Sequence, residues 1–174
     1  MKRKRQPAAG KRARQLLAPR RLTRIGVLVL FTLAVGLAAV YLARPGKPRN
    51  VPASIQYWAG RYHLNVHLVR AVAWLESGYN PSQVSSTGAR GVMQIEPGTW
   101  RYTESLIGHR VAPTSDGNVE IGVAYLHHLL LQFHGDRRLA LGAYYQGPQA
   151  VQYLGLYPSA KRYVANVLAL TNRL

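Results

Sequence analysis

The sequence of 174 residues contains no cysteine and only six acidic residues, against 23 lysines and arginines. Without cysteine the chain can form neither a disulfide framework nor a zinc–thiolate site, and it cannot carry a lipid on a cysteine anchor. The few acids also limit the chemistry, because any mechanism that needs carboxylates must draw on six side chains. All six lie after residue 75, so the net charge of +17 comes largely from an N-terminal part with no balancing acid.

The first 49 residues hold 13 of the 23 basic side chains, ten of them within residues 1–24. We interpret residues 1–24 as a disordered, cytoplasmic basic tail that rests on anionic lipid headgroups. Nucleic-acid binding is the less favoured interpretation, because no recognition motif or aromatic pattern accompanies the charge. Residues 50–174, with ten basic and six acidic side chains, are much closer to neutral.

Residues 25–43 read IGVLVLFTLAVGLAAVYLA and carry no charge. A run of this length can cross a bilayer core as a helix. The basic residues before it keep the N-terminus in the cytoplasm, so the remaining chain should face outward. A cleaved signal peptide is the alternative, but the run is long for a signal core and its small residues, Gly36 and Ala38, lie inside it. We therefore predict an uncleaved, single-pass signal anchor, a linker over residues 44–51 and an extracytoplasmic domain over residues 52–174.

Helical signals dominate the outward part, which we predict to be all-α. The predicted helices cover residues 52–63, 66–77, 97–106, 119–134, 137–145, 148–154 and 159–170, with N-caps at Asn65, Asn118 and Asp136 and stops at Gly78, Gly108, Gly135 and Gly147. Between the second and third helices, GYNPSQVSSTGARG at residues 78–91 must be a loop. Long loops in compact domains are often functional.

One carboxylate falls on the inward stripe of a predicted helix. Val69, Val72, Ala73 and Glu76 follow the i, i+3, i+4, i+7 pattern and share one face. Burial and a helix C-terminus both disfavour the charged carboxylate, so we expect the pKa of Glu76 to be raised. A carboxylic acid that keeps its proton near neutral pH can act as a general acid. A structural role, such as pairing with an arginine or capping a loop amide, is the alternative.

Other polar and aromatic side chains indicate no second site. We predict no metal and no cofactor, because His63 and His67 straddle a predicted N-cap and because His127 and His134 lie about 10 Å apart along one helix. Glu96 is the best candidate for a second carboxylate, although its place before Pro97 favours a helix N-terminal role. Among the other acids, we expect Glu120 in the first turn of a helix and Glu104, Asp116 and Asp136 at the surface or in helix caps. Among the aromatic residues, we expect Trp58 and Trp74 in the core and Tyr163 in a stripe of packing residues.

Three sequence blocks carry a resemblance to a known family. They are ESGYNP at residues 76–81, STGARGVMQIEPGTW at 86–100 and LALGAYYQGPQAV at 139–151. In order and spacing they resemble the soluble lytic transglycosylase family, whose domain is related to goose-type lysozyme. The resemblance covers roughly residues 52–170 and implies an all-α, lysozyme-like fold. Three ordered blocks are far more specific than any one of them.

The resemblance implies a role for each matching residue. Glu76 would be the catalytic acid and base, Ser77 would sit beside it, and Tyr144 would help to orient it. Met93 and Gln94 would line the glycan cleft. The sequence departs from the family pattern at Tyr145, where the family prefers Asn and where we expect a substrate contact.

A single carboxylate is compatible with this chemistry. Glycosidases commonly use two carboxylates, whereas substrate-assisted enzymes use the N-acetyl group of the sugar as the nucleophile. The resemblance implies cleavage of the MurNAc–GlcNAc β-1,4 bond of peptidoglycan, with formation of 1,6-anhydroMurNAc ends. Alternatives are a hydrolytic muramidase of the lysozyme type, a non-catalytic peptidoglycan-binding module and a membrane-tethered nucleic-acid binder. We expect glycan strands and the membrane as partners, and no nucleic acid.

Overall fold

The computed structural model describes residues 50–174. The predicted basic tail, the signal anchor and linker residues 44–49 lie outside the described residues. The described chain folds into α1 (Val51–Arg61), α2 (Val66–Ser77), α3 (Pro97–Ile107), α4 (Ser115–Gln132), α5 (Arg137–Gln146), α6 (Pro148–Leu154) and α7 (Pro158–Thr171). None of these helices is both long enough and apolar enough to span a membrane. An all-helical domain is therefore confirmed over this part of the chain.

Helix α4 forms the centre of the fold. Every residue from 117 to 126 is buried, so this stretch has no solvent-facing side and must be covered all round. Helices α1, α3 and α5 pack against α4, and α7 packs against α2 and α5. This arrangement brings the C-terminal end of α2 beside α7, although the two helices are far apart in the sequence.

The start of α4 differs from the prediction. The helix begins at Ser115, and its N-cap is Thr114, whose hydroxyl accepts a hydrogen bond from the amide of Gly117. Asn118, the predicted cap, is 5% exposed and lies inside the helix. Its side chain accepts from the Met93 amide at 2.8 Å and donates to the Arg90 carbonyl at 2.9 Å. It thus ties the loop to α4 instead of starting the helix.

The loop before α3 is folded back on itself and fixed at one glycine. Two isolated antiparallel bridges join Arg90 to Val84 and to Ile95. Gly91 has a φ of +78°, which favours glycine, and a Cβ there would lie 2.7 Å from the Asn118 side chain. A side chain at position 91 would therefore displace the Asn118 side chain and break the two hydrogen bonds that it makes with the loop. We call these two hydrogen bonds the Asn118 clamp.

The two tryptophans expected in the core behave differently. Trp74 is 52% exposed and rests edge-on against Tyr79, so its core assignment was wrong. Trp58 is half-buried against the main core, and its indole N–H donates to the Asp116 carboxylate at 3.0 Å.

Two acids also differ from expectation. Glu104 is buried; it accepts hydrogen bonds from the Val111 amide at 2.9 Å and from Arg110 at 2.8 Å. These donors, the amide first, hold the pKa of Glu104 below its usual range. Glu120 lies in the second turn of α4, where it faces His109 at 3.0 Å. The cap role of Asp136 is confirmed, since it accepts from two amides of the first turn of α5.

Candidate active site

Glu76 lies in the last turn of α2, next to the helix end. Gly78 ends α2 in the left-handed conformation, with φ 62° and ψ 31°, which is the usual glycine C-cap. The stripe that carries Val69, Val72 and Ala73 into the core therefore leaves Glu76 at its edge, half-buried. The carboxyl group faces an open cleft of about 530 Å³ instead of the core.

The cleft is built by four helices and the loop before α3. Its walls are Glu76, Ser85, Thr87, Ala89, Gln94, Ile95, Glu96, Thr99, Tyr125, Tyr144, Tyr145, Gln146 and Gly147. Apart from two glutamates, the lining is aromatic, apolar or neutral polar. A wall of this composition suits a neutral, hydroxyl-rich ligand such as a sugar, because rings can stack and amides can hydrogen-bond.

A tyrosine from α7 holds the Glu76 carboxyl group. The Tyr163 hydroxyl donates to Glu76 Oε1 at 2.6 Å, across 87 residues of sequence. Burial raises the pKa of Glu76 to about 7, and the hydrogen bond from Tyr163 acts in the opposite direction because it favours the carboxylate. A pKa near 7 lets one group give a proton and take one back in the same pH range.

This contact corrects the predicted roles of two tyrosines. Tyr163 was assigned to packing alone, yet it makes the hydrogen bond to the carboxyl group. The Tyr144 hydroxyl, predicted to help orient Glu76, donates instead to the Met93 carbonyl at 2.9 Å. Tyr144 still lies near the acid, since the charge of Glu76 contributes, after burial, to raising the pKa of Tyr144. The sequence pattern gave Tyr163 an inward face but no sign of where its hydroxyl points.

The remaining predicted site residues divide into cleft and support. Gln94 lines the cleft; its backbone is left-handed with φ 47°, and its side-chain amide donates to the carbonyls of residues 83 and 91. Ser77 lies beside the acid in sequence, but its hydroxyl donates to the Val92 carbonyl at 2.8 Å. Met93 is completely buried in the core, so its predicted place in the cleft wall was wrong.

Tyr145 and Glu96 are the other notable members of the wall. Tyr145 is 48% exposed and stacks on Tyr163. Glu96 is the N-terminal boundary residue of α3 but makes no side-chain capping bond. It is therefore a second carboxylate on the same cleft as Glu76. Within residues 50–174, no three His, Cys, Asp or Glu side chains are grouped as metal ligands would be.

The described domain is all-helical, and its open cleft contains a glutamate that is hydrogen-bonded to a tyrosine. This is the architecture of a lysozyme-like enzyme domain. The transglycosylase SLT domain family matches residues 53–164. The chain belongs to this family.

Relatives and solved structures agree with this assignment. The chain is 37% identical to the soluble lytic murein transglycosylase of Salmonella typhimurium over 90 residues, which are 47% of this chain and 14% of the relative. It is 28% identical to the endo-type membrane-bound lytic murein transglycosylase A of Klebsiella pneumoniae over 114 residues, 58% of this chain and 56% of the relative.

Among solved structures, an inactive mutant of the lytic transglycosylase Slt of Pseudomonas aeruginosa matches with a TM-score of 0.64 and 28% identity, over 68% of this chain and 23% of that one. The 70 kDa soluble lytic transglycosylase of Escherichia coli matches with a TM-score of 0.63 and the same identity and coverage. The chain thus spans only a small part of the large soluble relatives that it resembles.

Proposed function

We propose that this chain is a peptidoglycan lytic transglycosylase, with Glu76 as its sole acid and base. The observation that carries the proposal is the Glu76 carboxyl group, which faces the cleft with a pKa of about 7 and is hydrogen-bonded to Tyr163. Membership of the SLT domain family and the names of the relatives support peptidoglycan as the substrate.

In the proposed reaction, protonated Glu76 gives its proton to the glycosidic oxygen that leaves C1 of N-acetylmuramic acid. The acetamido oxygen of the same sugar bonds to C1 as the glycosidic bond breaks. The Glu76 carboxylate then takes the proton of the C6 hydroxyl, whose oxygen attacks C1 and displaces the acetamido oxygen. The product is a 1,6-anhydro ring, Glu76 regains its proton, and no water is consumed.

Side chains around Glu76 have distinct tasks in this proposal. The Tyr163 hydroxyl stabilises the carboxylate that forms after the first step, because it donates a hydrogen bond to Glu76 Oε1 and this bond strengthens as negative charge develops there. Gln94 and Tyr145 contact the glycan from the cleft wall. Tyr144 and Ser77 act indirectly, since both bind backbone carbonyls of the segment that carries Gln94.

A hydrolytic muramidase is the second candidate function, and Glu96 favours it. Inverting and retaining glycosidases place two carboxyl groups across the scissile bond, and Glu96 lies on the same cleft as Glu76. If Glu96 activated a water molecule, its replacement by Gln would abolish turnover. The transglycosylase mechanism leaves a Glu96→Gln variant active, because the C6 hydroxyl replaces water.

The test is mass spectrometry of the sugars that the full-length chain releases from purified peptidoglycan. Anhydromuramoyl ends that disappear in Glu76→Gln and persist in Glu96→Gln would support the transglycosylase. Reducing ends that require both glutamates would establish the muramidase. Binding to peptidoglycan without release would indicate a non-catalytic module and refute both.

We also propose that residues 25–43 anchor the enzyme in the cytoplasmic membrane, with residues 1–24 inside and residues 52–174 outside. The charge-free run, the basic residues before it and the membrane-bound relative from Klebsiella support this arrangement. It would place the cleft where peptidoglycan lies.

A further inference from the structure

A third side chain stacks on the ring of Tyr163, whose hydroxyl donates to Glu76. Tyr145, in the last turn of α5, has its ring centroid 4.8 Å from that of Tyr163, with 28° between the ring planes. This is a stacked geometry that aromatic pairs favour. Because Tyr145 is 48% exposed and lines the cleft together with Glu76, its ring separates Tyr163 from part of the solvent in the cleft.

The neighbours of Tyr145 are committed to other contacts. Tyr144 donates to the carbonyl of Met93, and the Gln146 side chain bonds the backbone of the connection between α6 and α7. Within this turn, Tyr145 is the side chain that stacks on Tyr163. An Asn at this position, as in the family pattern, has no ring with which to cover the phenol.

We propose that Tyr145 is a positioning residue: its ring keeps the Tyr163 phenol against Glu76 and keeps water of the cleft away from their hydrogen bond. This role rests on the proposed function, in which Glu76 gives and then takes a proton. Without the ring, Tyr163 gains freedom to turn, and less of the enzyme has the acid in its reactive geometry. A misplaced catalytic group lowers the rate of the chemical step, so kcat falls more than KM changes.

Solvent access also predicts the direction of a pH effect. The titratable groups that line the cleft around Glu76 are Tyr125 from α4, Tyr144 from α5 and Glu96 at the start of α3, together with Tyr145, while Tyr163 approaches from α7. No lysine, arginine or histidine is among the residues described in this wall. Water admitted beside Glu76 would therefore stabilise the carboxylate and lower its pKa. A weaker hydrogen bond from Tyr163 would act in the opposite direction, but burial is the larger influence on Glu76, so the net pKa should fall. The alkaline limb of kcat/KM, which reports loss of the acid's proton, would move to lower pH.

The experiment measures kcat, KM and the pH profile of full-length Tyr145→Phe, Tyr145→Asn and the wild type on peptidoglycan. Tyr153→Asn is the matched control, because Tyr153 is 83% exposed on α6. We expect Tyr145→Phe to keep the alkaline limb of kcat/KM at the wild-type pH, since it keeps the ring over Tyr163, and any lost hydroxyl contact with the glycan to change KM. Tyr145→Asn should lose roughly tenfold in kcat, with the alkaline limb at lower pH, while Tyr153→Asn stays unchanged.

Three results would overturn the proposal. A rise in KM with kcat and the pH limb unchanged would make Tyr145 a sugar platform only. A lower melting temperature with wild-type kinetics per folded molecule would make it a packing residue only. Equal losses in Tyr145→Phe and Tyr145→Asn would assign the effect to the hydroxyl.

A measurement without turnover keeps this proposal separate from the proposed function. The Glu76 pKa can be followed by NMR in chains with ¹³C-labelled glutamate, with Glu76→Gln to assign the signal. The pKa should fall in Tyr145→Asn and stay in Tyr145→Phe even if the wild type releases no sugar. An unchanged pKa in Tyr145→Asn would refute the shielding role whatever the enzyme does.

Discussion

At the scale of single residues, the site depends on one short hydrogen bond between two helices that are far apart in the sequence but packed together in the fold. Glu76 sits at the end of α2 and Tyr163 within α7, and their side chains meet at 2.6 Å. The bond favours the charged carboxylate, whereas burial favours the neutral acid, and burial is the larger effect. The pKa of Glu76, about 7, results from these two opposing effects: burial raises it and the hydrogen bond from Tyr163 lowers it.

Removing the donor should shift that balance upward. In Tyr163→Phe the ring remains but the hydrogen bond to the carboxylate is lost, so the pKa of Glu76 should rise above about 7. The alkaline limb of kcat/KM should move to higher pH, and kcat should fall roughly tenfold because the carboxylate intermediate is less stabilised. The pH profile of the purified variant tests this, with Tyr153→Phe as the control. A limb that moves to lower pH would contradict the assigned role of Tyr163.

The raised pKa also has a cost in stability. The folded protein holds the proton of Glu76 up to about pH 7, whereas the unfolded chain releases it near 4.5. Folding therefore becomes less favourable as pH rises between these values, by roughly 3 kcal/mol in total. Glu76→Gln removes this dependence, so its free energy of unfolding relative to wild type should be higher at pH 8 than at pH 4.5. Urea unfolding at both pH values measures it, and a pH-independent difference would refute the raised pKa.

At the scale of elements, the loop before α3 depends on a buried clamp from α4. The side-chain amide of Asn118 accepts one hydrogen bond from the Met93 amide and donates one to the Arg90 carbonyl, both in the backbone of the loop. The same segment carries Gln94 into the cleft. The hydrogen bonds of Asn118 therefore contribute both to the stability of the domain and to the position of Gln94 in the cleft.

Truncating the clamp should destabilise the domain and loosen the loop. Asn118→Ala leaves two backbone groups without their partner, at a cost of roughly 2–4 kcal/mol. Asn118→Asp keeps the acceptor for the Met93 amide but places a second acceptor against the Arg90 carbonyl, so it should also destabilise. Chemical denaturation measures both. Asn172→Ala, at the exposed end of α7, is the control; equal effects at the two sites would exclude a special role for Asn118.

Most helices could be predicted because their signals are local. Asn65 and Gly78 bound α2 as predicted, and Pro148 starts α6 where its ring is pre-organised for a first turn. The start of α4 was missed because Thr114 and Asn118 are both good caps, and only burial against the loop distinguishes them. Helix periodicity likewise predicted an inward-facing Glu76, and in the structure its carboxyl group lines the cleft.

Contacts between distant elements could not be read in the same way. The pattern of α7 predicted an inward Tyr163, but a hydroxyl direction depends on how α7 crosses α2, which no local signal encodes. The same holds for Met93: its neighbour Gln94 reaches the cleft, whereas Met93 points to α4, where a Cβ on Gly122 would lie 2.5 Å from its sulfur. Alternation within a loop was not visible in the sequence.

At the scale of the whole molecule, charge and hydrophobicity separate residues 1–49 from the described domain. The first part carries 13 basic residues and no acid, while residues 50–174 carry ten basic and six acidic residues. Attraction to anionic lipid is worth about 1 kcal/mol for each basic residue near the surface and is screened by salt. Insertion of an apolar helix is not screened in this way.

This difference predicts two separable modes of membrane attachment. If residues 25–43 anchor the chain as proposed, the full-length chain should stay with membranes through a high-salt wash, because salt does not release an inserted apolar helix. A chain that lacks residues 25–43 but keeps residues 1–24 should bind anionic vesicles at low salt and leave them at high salt. Sedimentation followed by immunoblotting measures both, with neutral vesicles as the control. If high salt releases the full-length chain, the attachment is electrostatic alone and the proposed anchor is refuted. If the shortened chain stays bound at high salt, the anchor lies in another segment.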